Sequence, residues 1–163
     1  MTTALVHVIG VGSPSGDDWV GWELAERLRT SESLSAWGDR VSVSLHDRPG
    51  AALLQAWKGS GLVILLDAVR SGAAPGTPHR LDSSQLRNQP KILSTRGFGL
   101  AEAVQLAAAL DALPESLLFF GLEASPEHEA MCLSEAVFAS LPAMVAEVEA
   151  SILSYLQQNS TPD

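Results

Sequence analysis

Apolar and polar positions along this chain fall into short segments whose period keeps changing. Ala4–Val11 is an apolar run ending in glycine, which predicts a buried strand. Val20, Leu24 and Leu28 then recur every four residues, predicting a helix over Val20–Leu28 with one apolar face. Val41, Val43 and Leu45 alternate with polar residues, the period of a strand. "HDRPG" ends that strand, and Ala51–Trp57 reads as a short helix. Gly61–Val69, "GLVILLDAV", is apolar at almost every position, as a central parallel strand covered on both faces requires. A turn-rich "SGAAPGTPH" follows, with a short edge strand over His79–Leu81. Gly99–Leu110 has a helical pattern, Leu117–Ala124 is a fourth long strand, and Glu135–Leu156 is a long helix expected to kink or split at Pro142. The tail, about 157–163, is expected to fray.

Strands alternating with helices predict a twisted, mostly parallel α/β sheet with helices on both faces. A single domain over 1–163 is expected, with no internal repeat or linker. In such sheets ligands bind beyond the C-terminal ends of the strands. That rule gathers Asp17 and Asp18 after the first strand, His46 and Asp47 after the second, Asp67 capping the third, and Glu123 following the last long strand. Acids collected there suit a cation or a hydrolytic centre better than a phosphate.

Composition narrows the field. A hydrophobic content of 46% with 18% charged residues fits a folded globular chain. Nineteen acidic and ten basic residues give a net charge of −9, which argues against a nucleic-acid partner. The single cysteine, Cys132, excludes an intramolecular disulfide and a cysteine-rich metal site and suits a reducing cytoplasm. "MTTALVHVIGVG" has neither the basic start nor the long apolar run of a secretion signal, and no uninterrupted apolar stretch reaches about 18–20 residues, so no membrane partner is expected.

Individual residues carry competing readings. "GVGSPSGDD" places Gly10, Gly12 and Gly16 so that the third glycine comes one residue late for a dinucleotide-binding turn, and no phosphate-binding lysine follows. Asp17 or Asp18 alone reads as a helix cap; two together exceed what capping needs. Asp67 is either an Asx-turn opening the loop to Ser71 or a site carboxylate. His7 reads as a hydrogen-bonded strand histidine, and His79 and His128 as solvated. Trp22, Trp37 and Trp57 read as packing residues, with Trp19 held open because it adjoins the acids. Cys132 reads as a structural residue flanking a helix.

Three segments together, "GVGSPSGDDWVGWELAERL", "LVILLDAVRSGAAPGT" and "STRGFGLAEAVQLAAAL", resemble the hydrogenase maturation proteases. "LLFFGLEA" and "LSEAVFASLPAMVAEVEA" extend the resemblance in the same order, from about Val8 to Leu153. It implies a three-layer α/β/α sandwich and an endopeptidase that removes the C-terminal extension of a nickel-loaded hydrogenase large-subunit precursor. Nickel would arrive with that partner. The metal-facing acids fall on Asp18 and Asp67, while the family histidine falls on Arg96, which stays charged and cannot ligate a metal. Three arrangements are open. His46 supplies the missing nitrogen; Asp18 and Asp67 suffice, with the other ligands brought by the substrate; or Arg96 pairs with Asp67 or Asp18 and the chain is an inactive or specialised relative. Asp47 stands as a supporting acid. The rival classes are a non-catalytic module binding a basic or metal-bearing C-terminal peptide, and a small-molecule hydrolase or nucleotide-binding α/β protein.

Overall fold

The computed structural model describes residues 5–47, 51–88, 100–126 and 131–159. β1 (Val6–Val11) leads through a 3-10 turn, Gly16–Trp19, into α1 (Val20–Arg29). α2 (Glu32–Ser35), a second 3-10 turn at Gly38–Arg40 and β2 (Val41–His46) follow. The order continues with α3 (Ala51–Ala56), β3 (Leu62–Val69), β4 (Pro78–Asp82), α4 (Ser83–Asn88), α5 (Leu100–Ala109), β5 (Ser116–Glu123) and α6 (Glu135–Asn159). One sheet forms in the order β2-β1-β3-β5-β4. Every pairing is parallel except that of β4, which lies antiparallel on the β5 edge.

Two cores sit on the two faces. Leu62, Ile64, Leu66 and Ala68 of β3 join Val20, Leu24 and Leu28 of α1 and the buried row of α6. Val63, Leu65 and Val69, the alternate positions of the same strand, join Leu53 of α3, Leu86 of α4 and Leu100, Val104 and Ala107 of α5. β3 is buried at all eight positions, which is why its sequence lacks alternation. This is the expected three-layer sandwich.

The unpredicted elements, α2, α4 and the two 3-10 turns, span only three to six residues each, too few for a hydrophobic period. α6 runs unbroken through Pro142, contrary to the expected kink or split. Proline removes the bond to the carbonyl four residues earlier, here Phe138, and both residues lie on the exposed side of the helix. The freed carbonyl therefore faces solvent. α6 is also long and apolar enough to cross a membrane by length and composition, with mean hydropathy 1.6. Val137, Leu141, Met144, Val148, Ile152 and Leu156 recur along it every three or four residues, and each is buried in the sheet-facing core.

Glycine decides how closely α1 approaches the sheet. A Cβ at Gly21 would stand 2.1 Å from the Val11 carbonyl oxygen and 2.6 Å from that of Leu66. One at Gly10 would meet the Gly21 carbonyl oxygen at 2.5 Å. Helix and strands thus meet backbone to backbone. In an ordinary helix interior, glycine to alanine stabilises by about 1 kcal/mol. At Gly21 the sign should reverse: overpacking against fixed carbonyls is expected to cost about 1–3 kcal/mol or more, read as a lower denaturation midpoint at unchanged m.

Candidate functional site

Strand order reverses direction between β1 and β3: β1 is followed in sequence by β2 on one side, whereas β3 leads to β4 and β5 on the other. A crevice opens at such a point beyond the strands' C-terminal ends. Asp18 lies in the 3-10 turn after β1, and Asp67 is the sixth residue of β3.

The glycine turn is built for backbone closure. A Cβ at Gly12 would lie 2.4 Å from the Asp18 carbonyl oxygen, which accepts the Ser13 N–H at 3.1 Å. The Gly12 N–H is donated to the His46 carbonyl oxygen, also at 3.1 Å. Two of the amides a phosphate would need are therefore occupied within the protein.

The adjacent aspartates have opposite fates, and neither caps its own helix. Asp17 is 2% exposed, and its carboxylate accepts the Ser134 N–H at 2.7 Å, the Ser134 hydroxyl at 2.8 Å and the Ser125 N–H at 2.8 Å. It clamps the residues after β5 and before α6 onto the 3-10 turn. Asp18 turns outward to Arg70, with Oδ1 3.1 Å from Nη2 and side chains 37% and 41% exposed respectively.

Asp67 is 5% exposed. Burial pushes its carboxyl well above the usual carboxylate range. The Ala68 N–H, donated to Oδ1 at 2.7 Å, opposes that rise; the Asp18 charge adds to it, and the Arg70 charge opposes it. Asp18, Asp67 and Arg70 thus form one electrostatically coupled group.

Ser71 is not held by an Asx-turn at Asp67. Glu123, 1% exposed, accepts both its N–H and its hydroxyl. His79, read as solvated, is instead half-buried beside Glu123, with Nε2 3.3 Å from Oε1. β4 folds back antiparallel and sets His79 opposite Gly121, two residues before Glu123 on β5, a juxtaposition no local pattern announces.

His46 keeps other company. Its Nε2 lies 3.2 Å from the Ser44 hydroxyl, which also bonds His7 Nε2 at 2.9 Å. Burial lowers the His46 pKa, and the neighbouring Asp47 charge opposes this. Asp47 itself is exposed. Arg96 and His128 lie outside the described residues. The guanidinium found on Asp18 is that of Arg70, which sequence reasoning passed over although it stands in "LLDAVRSG".

Among the described residues, no three of His, Cys, Asp and Glu converge as a metal set. Asp18 and Asp67 offer hard oxygen donors fit for a divalent cation, but fewer residues than the four ligands of a closed site. A shallow groove of about 650 Å³ lies at the opposite end of the sheet, where β3 and β5 begin, bordered by Leu62, Ser116 and Tyr155. The strand-reversal point has the stronger claim to chemistry, since its carboxylates are electrostatically coupled.

Fold and site together define an α/β/α protein with coupled carboxylates at its switch point. The family model HycI, hydrogenase maturation protease, matches residues 40–151. The chain belongs to the hydrogenase maturation protease family and is a peptidase. That match contains Asp67 and begins beyond Asp18. The fold is similar to the hydrogenase maturating endopeptidase HybD from E. coli, at 21% identity and TM-score 0.75, covering 91% of this chain and 92% of that one. The [NiFe] hydrogenase maturation protease HybD from Thermococcus kodakarensis is 21% identical at TM-score 0.70, with coverage of 90% and 97%. A hydrogenase 2 maturation peptidase from Thaumarchaeota archaeon SCGC_AB-539-E09 reaches 25% identity at TM-score 0.63, covering 90% and 97%. No curated protein matches the chain in sequence.

Stability measurements should separate the three aspartates. Asp17→Ala strands donors of Ser125 and Ser134 and is expected to cost about 2–4 kcal/mol by denaturant titration. Asp18→Ala loses only an exposed ion pair and should change stability by less than about 1 kcal/mol.

Asp67→Asn should be at least as stable as the natural protein at pH 7. A raised folded pKa means that the native state binds more protons than the unfolded chain between pH about 3.9 and the raised value. Stability associated with Asp67 is thus complete below that window and falls as pH rises through it. The variant's advantage should shrink on acidification to about pH 4. An advantage that grows on acidification would contradict the burial argument.

Proposed function

We propose that the chain is the endopeptidase that removes the C-terminal extension of a nickel-loaded nickel–iron hydrogenase large-subunit precursor in the cytoplasm. The observation that carries the reading is the placement of Asp18, in the turn after β1, and the buried Asp67, near the end of β3, at the strand-reversal point of a chain in this family. Nickel belongs to the substrate in this scheme. Asp18, half-exposed, is the carboxylate a docking precursor meets first; Asp67, inside the strand end, is the one reached when the peptide is seated. Two carboxylates leave the metal's remaining positions to the ligands it already has, so precursors without nickel lack the handle.

The chain's own contribution is orientation. The Asp17 clamp holds the turn that carries Asp18, the Ala68 N–H fixes one Asp67 oxygen, and Glu123 pins Ser71 in the loop after β3. Nickel bound to both precursor and protease would hold the scissile peptide in one pose and polarise nearby groups as a Lewis acid. Water is the attacking nucleophile in this reading. The single cysteine, at the exposed position Cys132, and the hydroxyl of Ser71, engaged by Glu123, are not assigned that role.

Incubation of the full chain with a nickel-loaded precursor, followed by intact-mass measurement, is the test. C-terminal truncation by the natural protein and loss of at least about a hundred-fold in rate for Asp67→Asn are expected, the scale for removing one preorganised group in an active site. Full processing by Asp67→Asn would exclude the carboxylate's role. Tight, stoichiometric retention of an intact precursor would favour a non-catalytic binding module.

A further inference from the structure

Arg70 follows β3 directly, so the strand's register delivers its guanidinium to the carboxylate of a turn 52 residues earlier. The contact joins the two sides of the strand-reversal point. Its 3.1 Å separation is a formed, charge-assisted hydrogen bond. Both partners are more than a third exposed, so the pair opens without disturbing either core. An exposed pair of this kind adds little to folding stability, which leaves its charge as the property to explain. The same charge also acts on Asp67. Arg70 therefore supplies positive charge to both carboxylates that the functional reading turns toward nickel.

We propose that Arg70 is a specificity-determining residue: it occupies Asp18 in the resting protein and yields it only to a cation presented by a docked precursor. The inference rests on the reading of Asp18 and Asp67 as nickel-facing carboxylates. A free hydrated divalent ion has to displace the guanidinium, meet its repulsion and supply every remaining ligand itself. A precursor-held nickel arrives with most ligands in place, and the docked peptide raises its effective concentration at the site. Arg70 thus sets a threshold that stray metal fails and the substrate passes. Asp18, released from this ion pair, turns to the nickel as the Arg70 guanidinium moves off its carboxylate.

The test is calorimetric titration of nickel ion alone into the full chain, comparing the natural protein with Arg70→Gln, Arg70→Lys and the double variant Arg70→Gln/Asp18→Asn. Arg70→Gln should bind nickel about ten-fold tighter, because one unit of repelling charge a few ångströms away is removed. Arg70→Lys, which keeps the charge but loses the planar fork, should fall between the natural protein and Arg70→Gln. The double variant should lose the gain. Free nickel should also inhibit precursor cleavage by Arg70→Gln at about ten-fold lower concentration. An unchanged nickel affinity in Arg70→Gln, or a gain that survives Asp18→Asn, overturns the proposal. Loss of cleavage in Asp67→Asn with no effect at Arg70 would sink this inference alone, whereas full cleavage by Asp67→Asn would remove the functional reading beneath it.

Discussion

The rest of the structure depends on α1 lying on bare backbone. Gly21 sets the helix against the carbonyls of Val11 and Leu66, the last residue of β1 and the fifth of β3, so one helix is seated over both strands that flank the reversal point. A side chain there would lift the N-terminal end of α1 and with it the 3-10 turn in front. Protein interiors do not absorb such a shift, because they are packed to crystal density. The position of Asp18 is therefore set largely by a residue that has no side chain.

Within that turn, two neighbouring carboxylates divide structure and chemistry. A 3-10 helix advances by about a third of a turn per residue, so consecutive side chains cannot face the same way. Asp17 goes inward and is satisfied by three donors, which makes its burial tolerable. Asp18 goes outward to Arg70. Asp67 is the contrasting case: buried, with one N–H on Oδ1 and a negative neighbour, it is held toward its neutral form. A carboxyl kept under such pressure is a common property of functional sites, although structural networks also produce it.

A second polar row crosses β1 and β2, where the Ser44 hydroxyl joins His7 and His46. Burial lowers the pKa of both rings; for His7 a backbone hydrogen bond with Ala56 opposes this and the His46 charge adds to it. The His46 carbonyl meanwhile receives Gly12 N–H and the Trp22 indole N–H, the latter at 2.8 Å. His46 thus supports the glycine turn through its backbone while its ring stays in the β1–β2 row. Trp22 does polar as well as packing work, and Trp19 packs edge-on against it at 6.0 Å.

The sequence by itself determined the layer architecture. Uninterrupted apolarity in Leu62–Leu66, alternation in Val41–Leu45 and the four-residue period of Val20–Leu28 are local records of which faces each element buries, and they survive in any fold that satisfies them. It also determined that Asp18 and Asp67 stand on the same edge, because parallel strands place their C-terminal ends together. Tertiary structure alone decided what each acid touches. The clamp of Asp17 on Ser134 spans 117 residues, the pairing of Asp18 with Arg70 spans 52, and that of Glu123 with His79 spans 44. No periodicity encodes such partners, since strand order, the antiparallel return of β4 and the close seating of α1 bring them together. Which carboxylate was satisfied, paired or left under strain depended on those distant contacts, because burial and neighbouring charge exist only once the chain has closed around them.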